Sequence, residues 1–342
     1  MDDRCCRRRA CRVGRRSTPT HAQFTTKDTK DTKAKPFWVP TFVSLVSFVV
    51  TATPLQAQVY EAIGIRAQGM AGAFVASADD ATATWWNPAG LAGGLFFNAT
   101  LELDTVNDDR HGGFSAAFPA LGLSYYRSRL SQIQPLPPTG PGGAVRQDQG
   151  PASGRLTMLA LQQVGATVGQ SVGDHLVIGA TIKLMRGDLE GTAGTRGDVD
   201  VGVVAAFGGV RIGVATKNVT RPSFEAGADR VEVPRQARAG IAVSSPPSAA
   251  VPATVEVDAD LTRTPTPFGE ARHLAAGGEA WLLRRRLGVR AGVSANTVGL
   301  ARPSGSAGVS LALRPGFYIE AQGTRGDDQA LSGWGISLKV TF

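Results

Sequence analysis

The residues able to do covalent or metal chemistry are few and scattered. His111, His175 and His273 fall in three separate stretches, and all three cysteines, Cys5, Cys6 and Cys11, sit at the extreme N-terminus. A metal centre needs N, O or S ligands that converge, and no spacing here brings them together. No Gly-x-Ser-x-Gly elbow or local Ser-His-Asp signature is present, and a barrel lipase would have to start from His175 beside a turn. The glycine-rich run after Gly64 has no Gly-Lys-Ser/Thr following it and no strand before it, so it does not read as a phosphate-binding loop. Three Arg-Gly-Asp triplets, starting at Arg186, Arg196 and Arg325, stand in or beside polar connections where Gly-Asp pairs make turns. These observations point to no enzyme and no cofactor.

What does recur is charge at alternate positions. Glu102, Lys183, Asp198, Asp200, Arg211, Arg238, Glu256, Asp258, Asp260, Glu279, Arg290, Glu320 and Lys339 share one face of alternating segments whose other face is apolar. In Gly333–Phe342, Trp334, Ile336, Leu338, Val340 and Phe342 oppose Ser337, Lys339 and Thr341. Such a period of two is that of a strand with two different faces. Turn signals between the runs give fourteen strands, near 95–104, 112–118, 120–129, 154–168, 175–186, 198–206, 209–217, 235–244, 253–262, 270–282, 286–295, 303–313, 316–324 and 331–342. Their connections alternate between short turns and longer polar loops, as in a membrane barrel with tight periplasmic turns. Most runs are near the 9–11 residues that a tilted strand needs to cross a bilayer. The expected fold class is therefore all-β, a transmembrane antiparallel β-barrel of about fourteen strands, with a soluble sandwich as the competing reading. In a barrel the charged face points to a lumen that is either wet or ion-paired to whatever fills it, since each charge would cost several kcal/mol against lipid near the midplane.

One stretch stands outside this alternation. Residues 64–92, GIRAQGMAGAFVASADDATATWWNPAGLA, are dense in glycine and alanine and break both helix and strand. Asn87 must be extended ahead of Pro88 and can close an Asx-turn. Gly69, Gly72, Asp79, Asp80, Trp85, Trp86, Asn87, Pro88, Ala89 and Gly90 carry a pattern that resembles the N-terminal hatch of FadL-type outer-membrane transporters and of the related PorV-like barrels. The resemblance implies a plug folded into a fourteen-stranded barrel. Trp334 and the terminal Phe342 would then belong to the C-terminal signal read by the barrel assembly machinery.

Composition agrees with an exported protein. Residues 1–35 hold 11 Lys and Arg against 4 Asp, whereas the chain from 58 onward holds 25 basic and 24 acidic residues. The folded part is near neutral, which argues against a nucleic-acid partner. The apolar run FVSLVSFVV lies between Pro40 and Pro54, leaving 13 residues or about 20 Å of helix, too short for a bilayer and suited to a signal peptide. The expected organisation is a leader over 1–57, of which 1–35 reflects a misassigned start codon, a hatch over 58–93 and a barrel over 94–342. The resemblance implies a place in the bacterial outer membrane and uptake of hydrophobic compounds such as long-chain fatty acids, by diffusion past the hatch. The alternative is a PorV-like component gripping proteins of a secretion system. Expected partners are outer-membrane lipid, a hydrophobic small molecule and, under the alternative, secretion proteins.

Overall fold

The computed structural model describes residues 63–94, 96–106, 109–135, 154–227, 229–246, 248–266, 269–327 and 332–342. The leader over 1–57, the start of the hatch and much of the Pro-Gly-rich connection after Pro135 lie outside them.

Fourteen strands close into an antiparallel barrel. They are β1 (Asn98–Val106), β2 (Asp109–Phe118), β3 (Leu121–Pro135), β4 (Gly154–Val172), β5 (Leu176–Leu189), β6 (Thr192–Phe207), β7 (Val210–Lys217), β10 (Gln236–Ser244), β11 (Ala253–Asp260), β14 (His273–Leu282), β15 (Leu287–Asn296), β16 (Ser304–Arg314), β17 (Phe317–Gly326) and β18 (Gly333–Thr341). Two hairpins, β8 (Ser223–Ala226) with β9 (Asp229–Glu232) and β12 (Thr264–Thr266) with β13 (Gly269–Ala271), stand in the long connections after β7 and β11. The seam joins β1 to β18, with Leu101 opposite Leu338 and Asp104 opposite Gly335. A sheet closed on itself has no second sheet to pack against, so the sandwich reading falls.

The alternation read from sequence sets which face is wet. Leu103, Leu123, Ile182, Ile241, Val255 and Leu338 are all more than half exposed on the outer wall. Water would not tolerate an apolar band around a whole barrel, and lipid does. No helix among the described residues is long and apolar enough to cross a membrane; the strands do so. The inward charges are buried: Glu102, Lys183, Asp198, Arg238, Glu256, Asp258, Arg290 and Glu320 are each at most 4% exposed.

Where the structure departs from the expected boundaries, the reason is local. The run at 270–282 divides at Arg272, because residues 269–271 pair with 264–266 in a side hairpin. The turn expected over 169–174 shrinks to residues 173–175, because Gly169 stays in β4 against Ala92 of the hatch, where a Cβ would come within 3.3–3.4 Å of that residue. β3 to β6 have 15, 19, 14 and 16 residues, beyond the 9–11 that crossing needs, so they rise as a tall wall on the long-loop side. One short turn is unusual: Leu283, Arg284 and Arg285 all take left-handed φ values of 51°, 56° and 65°. Each costs about 1–2 kcal/mol in a residue with a Cβ.

Candidate functional site

The lumen is occupied by the hatch. From Ile63 to Gly94 it is a small-residue coil with short helical turns at Ile65–Gly69 (α1) and Ala83–Trp86 (α2) and a 3-10 turn at Pro88–Gly93. Such a segment pairs only part of its backbone internally, as from the Gln68 amide to the Gly64 carbonyl at 2.8 Å, and wall side chains take several of the remaining N–H groups. Glu102 accepts from the Gly64 amide at 3.0 and 3.1 Å. Asp258 accepts from Phe74 and Val75 at 2.8 and 2.9 Å, and Glu256 from Ala76 and Ser77 at 2.6 and 3.1 Å. Asn98 accepts from Ala81 at 2.8 Å. Each of these side chains gives a partner to a backbone N–H that would otherwise be buried without one.

Ion pairs hold the arc of wall between β1 and β11, from β14 to β18. Arg66 reaches Asp79 at 2.6 Å, Asp80 at 3.2 Å and Glu279 at 2.8 Å, and Lys339 meets Asp80 at 3.0 Å. Arg290 links Glu279 and Glu320 at 3.3 Å each, extending the network along the wall. Burial works against the Asp80 charge, but Lys339 and Arg66 reverse that and hold its carboxyl well below the usual range. Asp79, only partly withdrawn from solvent, is likewise lowered by Arg66 and Arg211. Its side chain is 38% exposed at the short-turn mouth, so solvent screens its pairs and Asp80 is the stronger latch. Burial opposes the Arg66 charge too, yet Asp79, Glu279 and Asp80 raise it above the ordinary value. Of the inward charges, Glu279, Lys339 and Arg211 pair with hatch residues, whereas Lys183 with Asp198 and Asp200, and Arg238 with Asp260, pair within the wall.

The motif residues come together in this plug. Gly69 lies where a Cβ would sit 2.8 Å from the Arg290 side chain, Gly72 takes a left-handed φ of 83°, and at Gly90 a Cβ would strike the Ala78 carbonyl. Trp85 is sandwiched between Lys217, whose Nζ is 3.0 Å from the ring centroid, and the edge of Tyr126 at 5.3 Å. Trp86 is fully buried, donates from Nε1 to the Ile63 carbonyl at 3.0 Å and meets Phe74 edge-on. Asn87 is extended, φ −157° and ψ 105°; its Oδ1 accepts from the Ala89 amide at 3.2 Å and its Nδ2 donates to the Val75 carbonyl at 2.8 Å. That is the expected Asx-turn, with Pro88 starting the 3-10 turn where no N–H is needed.

The sequence reading missed the complementary signal in the wall. Gly179, Gly202, Gly213, Gly277 and Gly292 face the hatch backbone, and a Cβ on Gly213 would sit 2.6 Å from the Val75 carbonyl. On Gly202 it would overlap the Asn87 amide oxygen, and on Gly277 the Met70 carbonyl. Their phase in the strands was readable, but nothing in one strand says which inward glycine meets another backbone.

Above the hatch, Gln68 and Gly72 floor a cavity of about 60 Å3 walled by His273, Ser294, Ser304, Ser306, Gln322 and Thr324. The hydroxyls pair with each other, Ser294 with Ser304 and Ser306 with Thr324, both at 2.8 Å. A cavity that holds benzene has about 150 Å3, so this one suits water-sized occupants. A different surface lies higher. On the inner face of the tall wall Leu130, Leu159, Leu161, Met185 and Leu189 form an apolar cluster, and Phe224, Val231 and Val233 cover it. Phe224 lies flat on Gly187, where a Cβ would be 2.6 Å from its ring. The hairpin β8–β9 thus lids the apolar wall of an otherwise charged and hydroxylated lumen.

Other residues singled out by sequence stay apart. His111, His175 and His273 lie on β2, in the turn before β5 and on β14, and the described residues contain no group of three or more His, Cys, Asp or Glu arranged for a metal. The Arg196 triplet lies within β6 and its Asp198 is buried against Lys183 at 2.9 Å, so it presents no adhesion loop; the Arg186 triplet lies within β5. Trp334 and Phe342 project outward, 58% and 64% exposed, with Phe342 6.1 Å from both Phe97 and Phe317 in an aromatic girdle at the short-turn rim.

No protein-family model and no curated protein sequence matches the chain. Solved structures do. The toluene transporter TbuX of Ralstonia pickettii superposes with a TM-score of 0.56 at 13% identity, over 83% of this chain and 99% of its own. The monoaromatic hydrocarbon channel CymD gives 0.58 at 13% identity, over 82% and 97%. The Pseudomonas putida toluene transporter TodX gives 0.53 at 10% identity, over 81% and 96%. The fold is that of these fourteen-stranded transporter and channel barrels, and the apolar outer belt suits a lipid surround.

Proposed function

We propose that this barrel takes up hydrophobic compounds across the outer membrane by diffusion. The observation that carries the reading is the apolar cluster under the β8–β9 hairpin, at the long-loop end of a lumen otherwise lined by charge and hydroxyls. Apolar surface removed from water there gains about 25 cal/mol per Å2, enough to hold a hydrocarbon loosely when Phe224 lifts. Likeness of fold to transporters of toluene and channels for monoaromatic hydrocarbons supports small aromatic hydrocarbons as the first compounds to try, with long-chain fatty acids as a second class. Passage onward requires the hatch to shift, since its Asn87–Ala89 turn fills the lumen against Gly179 and Gly202. Such a shift would break the hydrogen bond from Asn87 Nδ2 to the Val203 carbonyl, at 3.3 Å.

Binding of toluene to the purified barrel in detergent-free nanodiscs tests this. Saturable binding that weakens about tenfold or more in Phe224→Asp supports it, because a charge in that apolar site costs at least one hydrogen-bonded ion's desolvation. Equal binding by both proteins, or none by either with a secretion protein co-purifying instead, turns the account toward the PorV-like alternative.

A further inference from the structure

Arginine is distributed unevenly around the short-turn end of the barrel. Among the described residues of the turns at 119–120, 173–175, 208–209, 245–252 and 315–316, Asp174 is the only charged side chain. The turn between β14 and β15 instead carries Arg284, Arg285 and Arg286 in succession, all exposed. The neighbouring hairpin adds Arg314, whose Cζ lies 4.1 Å above the Phe317 ring. A hydrogen bond of 2.9 Å from the Ala312 amide to the Arg286 carbonyl joins the two turns. These four side chains make no ion pair among the described residues, unlike Arg129 with Asp109 and Arg263 with Glu270 at the opposite end, both at 2.9 Å.

Two more features fix their height. Leu283, in the turn itself, and Leu313, on the outward phase of β16, are 70% and 62% exposed. Phe317 meets the girdle residue Phe342 edge-on at 6.1 Å, so Arg314 lies at the border of the hydrocarbon layer. Arginines at that border, with leucines in the acyl region beside them, meet headgroups; a water-borne partner would have to sit against the bilayer to reach them. The guanidinium fork matches phosphate oxygens two at a time. We propose that this corner of the barrel binds the phosphodiester headgroup of an anionic phospholipid in the periplasmic leaflet, with Arg284, Arg285, Arg286 and Arg314 as its ligands. The site is independent of what passes through the lumen.

Native mass spectrometry of the full barrel, extracted from vesicles of equal phosphatidylglycerol and phosphatidylethanolamine, reads the lipid retained. Wild type should keep phosphatidylglycerol preferentially, with the preference falling roughly fivefold for each arginine removed, from about 1 kcal/mol per basic residue at an anionic surface. Arg284→Ala and Arg314→Ala should each show that fall while remaining folded by heat-modifiable migration. Adding glycerol phosphate in solution should leave the lipid bound. Wild type retaining both lipids equally overturns the proposal whatever the variants do. So does an undiminished preference in both variants, displacement by soluble glycerol phosphate, or an acidic periplasmic protein held at this turn in place of lipid.

Discussion

At the residue scale the plug depends on Asp80, which is 3.0 Å from Lys339 and 3.2 Å from Arg66. Asp80→Asn leaves two buried cations short of a partner and should cost about 3 kcal/mol, the lower end for breaking a buried pair, since Glu320, Asp79 and Glu279 remain nearby. Thermal unfolding of the purified barrel reads this. The pH dependence has a definite sign. A carboxyl held below its ordinary value in the fold contributes stability that is fully present above about pH 4, where the unfolded group ionises, and is lost as pH falls through the lower folded value. The Asp80 contribution should therefore fade below about pH 4, so that Asp80→Asn shows a shallower acid loss than wild type. An unchanged acid limb in the variant would assign the loss to other carboxylates. Gly213→Val should also loosen the plug, because its side chain must enter space held by the Val75 carbonyl. Overpacking of that kind costs about 1–3 kcal/mol, and limited proteolysis within residues 64–94 would report it.

Elements follow the same logic with different consequences. The barrel strands were legible because a sheet wet by lipid outside and charge inside must alternate, and runs such as Val255 to Asp260 do so without interruption. The β8–β9 hairpin was not legible as structure: Pro222 and Pro234 frame it as a loop, and its strands have four residues each. The alternation Val231–Val233 and the turn at Gly227, with a left-handed φ of 60°, were the available signals, too short to outweigh the prolines. What the hairpin covers was hidden for another reason, since Leu159, Leu161 and Met185 lie on the face that should be polar and only the folded wall shows them meeting Phe224. Phe224→Ala removes the ring that closes this cluster. The barrel should still fold, and a fluorescent probe of apolar surface should bind more strongly, as expected for a void left by a buried aromatic.

For the whole molecule, the candidate site was legible as a segment and not as a surface. The run from Gly69 to Gly90 announced a plug, whereas the wall glycines and the carboxylates that take its amides come from strands far apart in sequence, such as Asp258 with Phe74. A closed barrel filled in this way should pass few ions: planar-bilayer recordings should show almost no steady conductance for the intact chain and open channels once residues 60–92 are removed. A large conductance in the intact protein would mean the plug does not stay in the lumen. The most direct test of the central claim is entry of radiolabelled toluene into cells whose lipopolysaccharide leaflet resists apolar solutes and which lack a hydrocarbon channel of their own. Cells carrying this barrel should take up toluene several times faster than cells with the empty membrane, and cells carrying Phe224→Asp should not. Uptake equal in all three would contradict a role in hydrophobic transport.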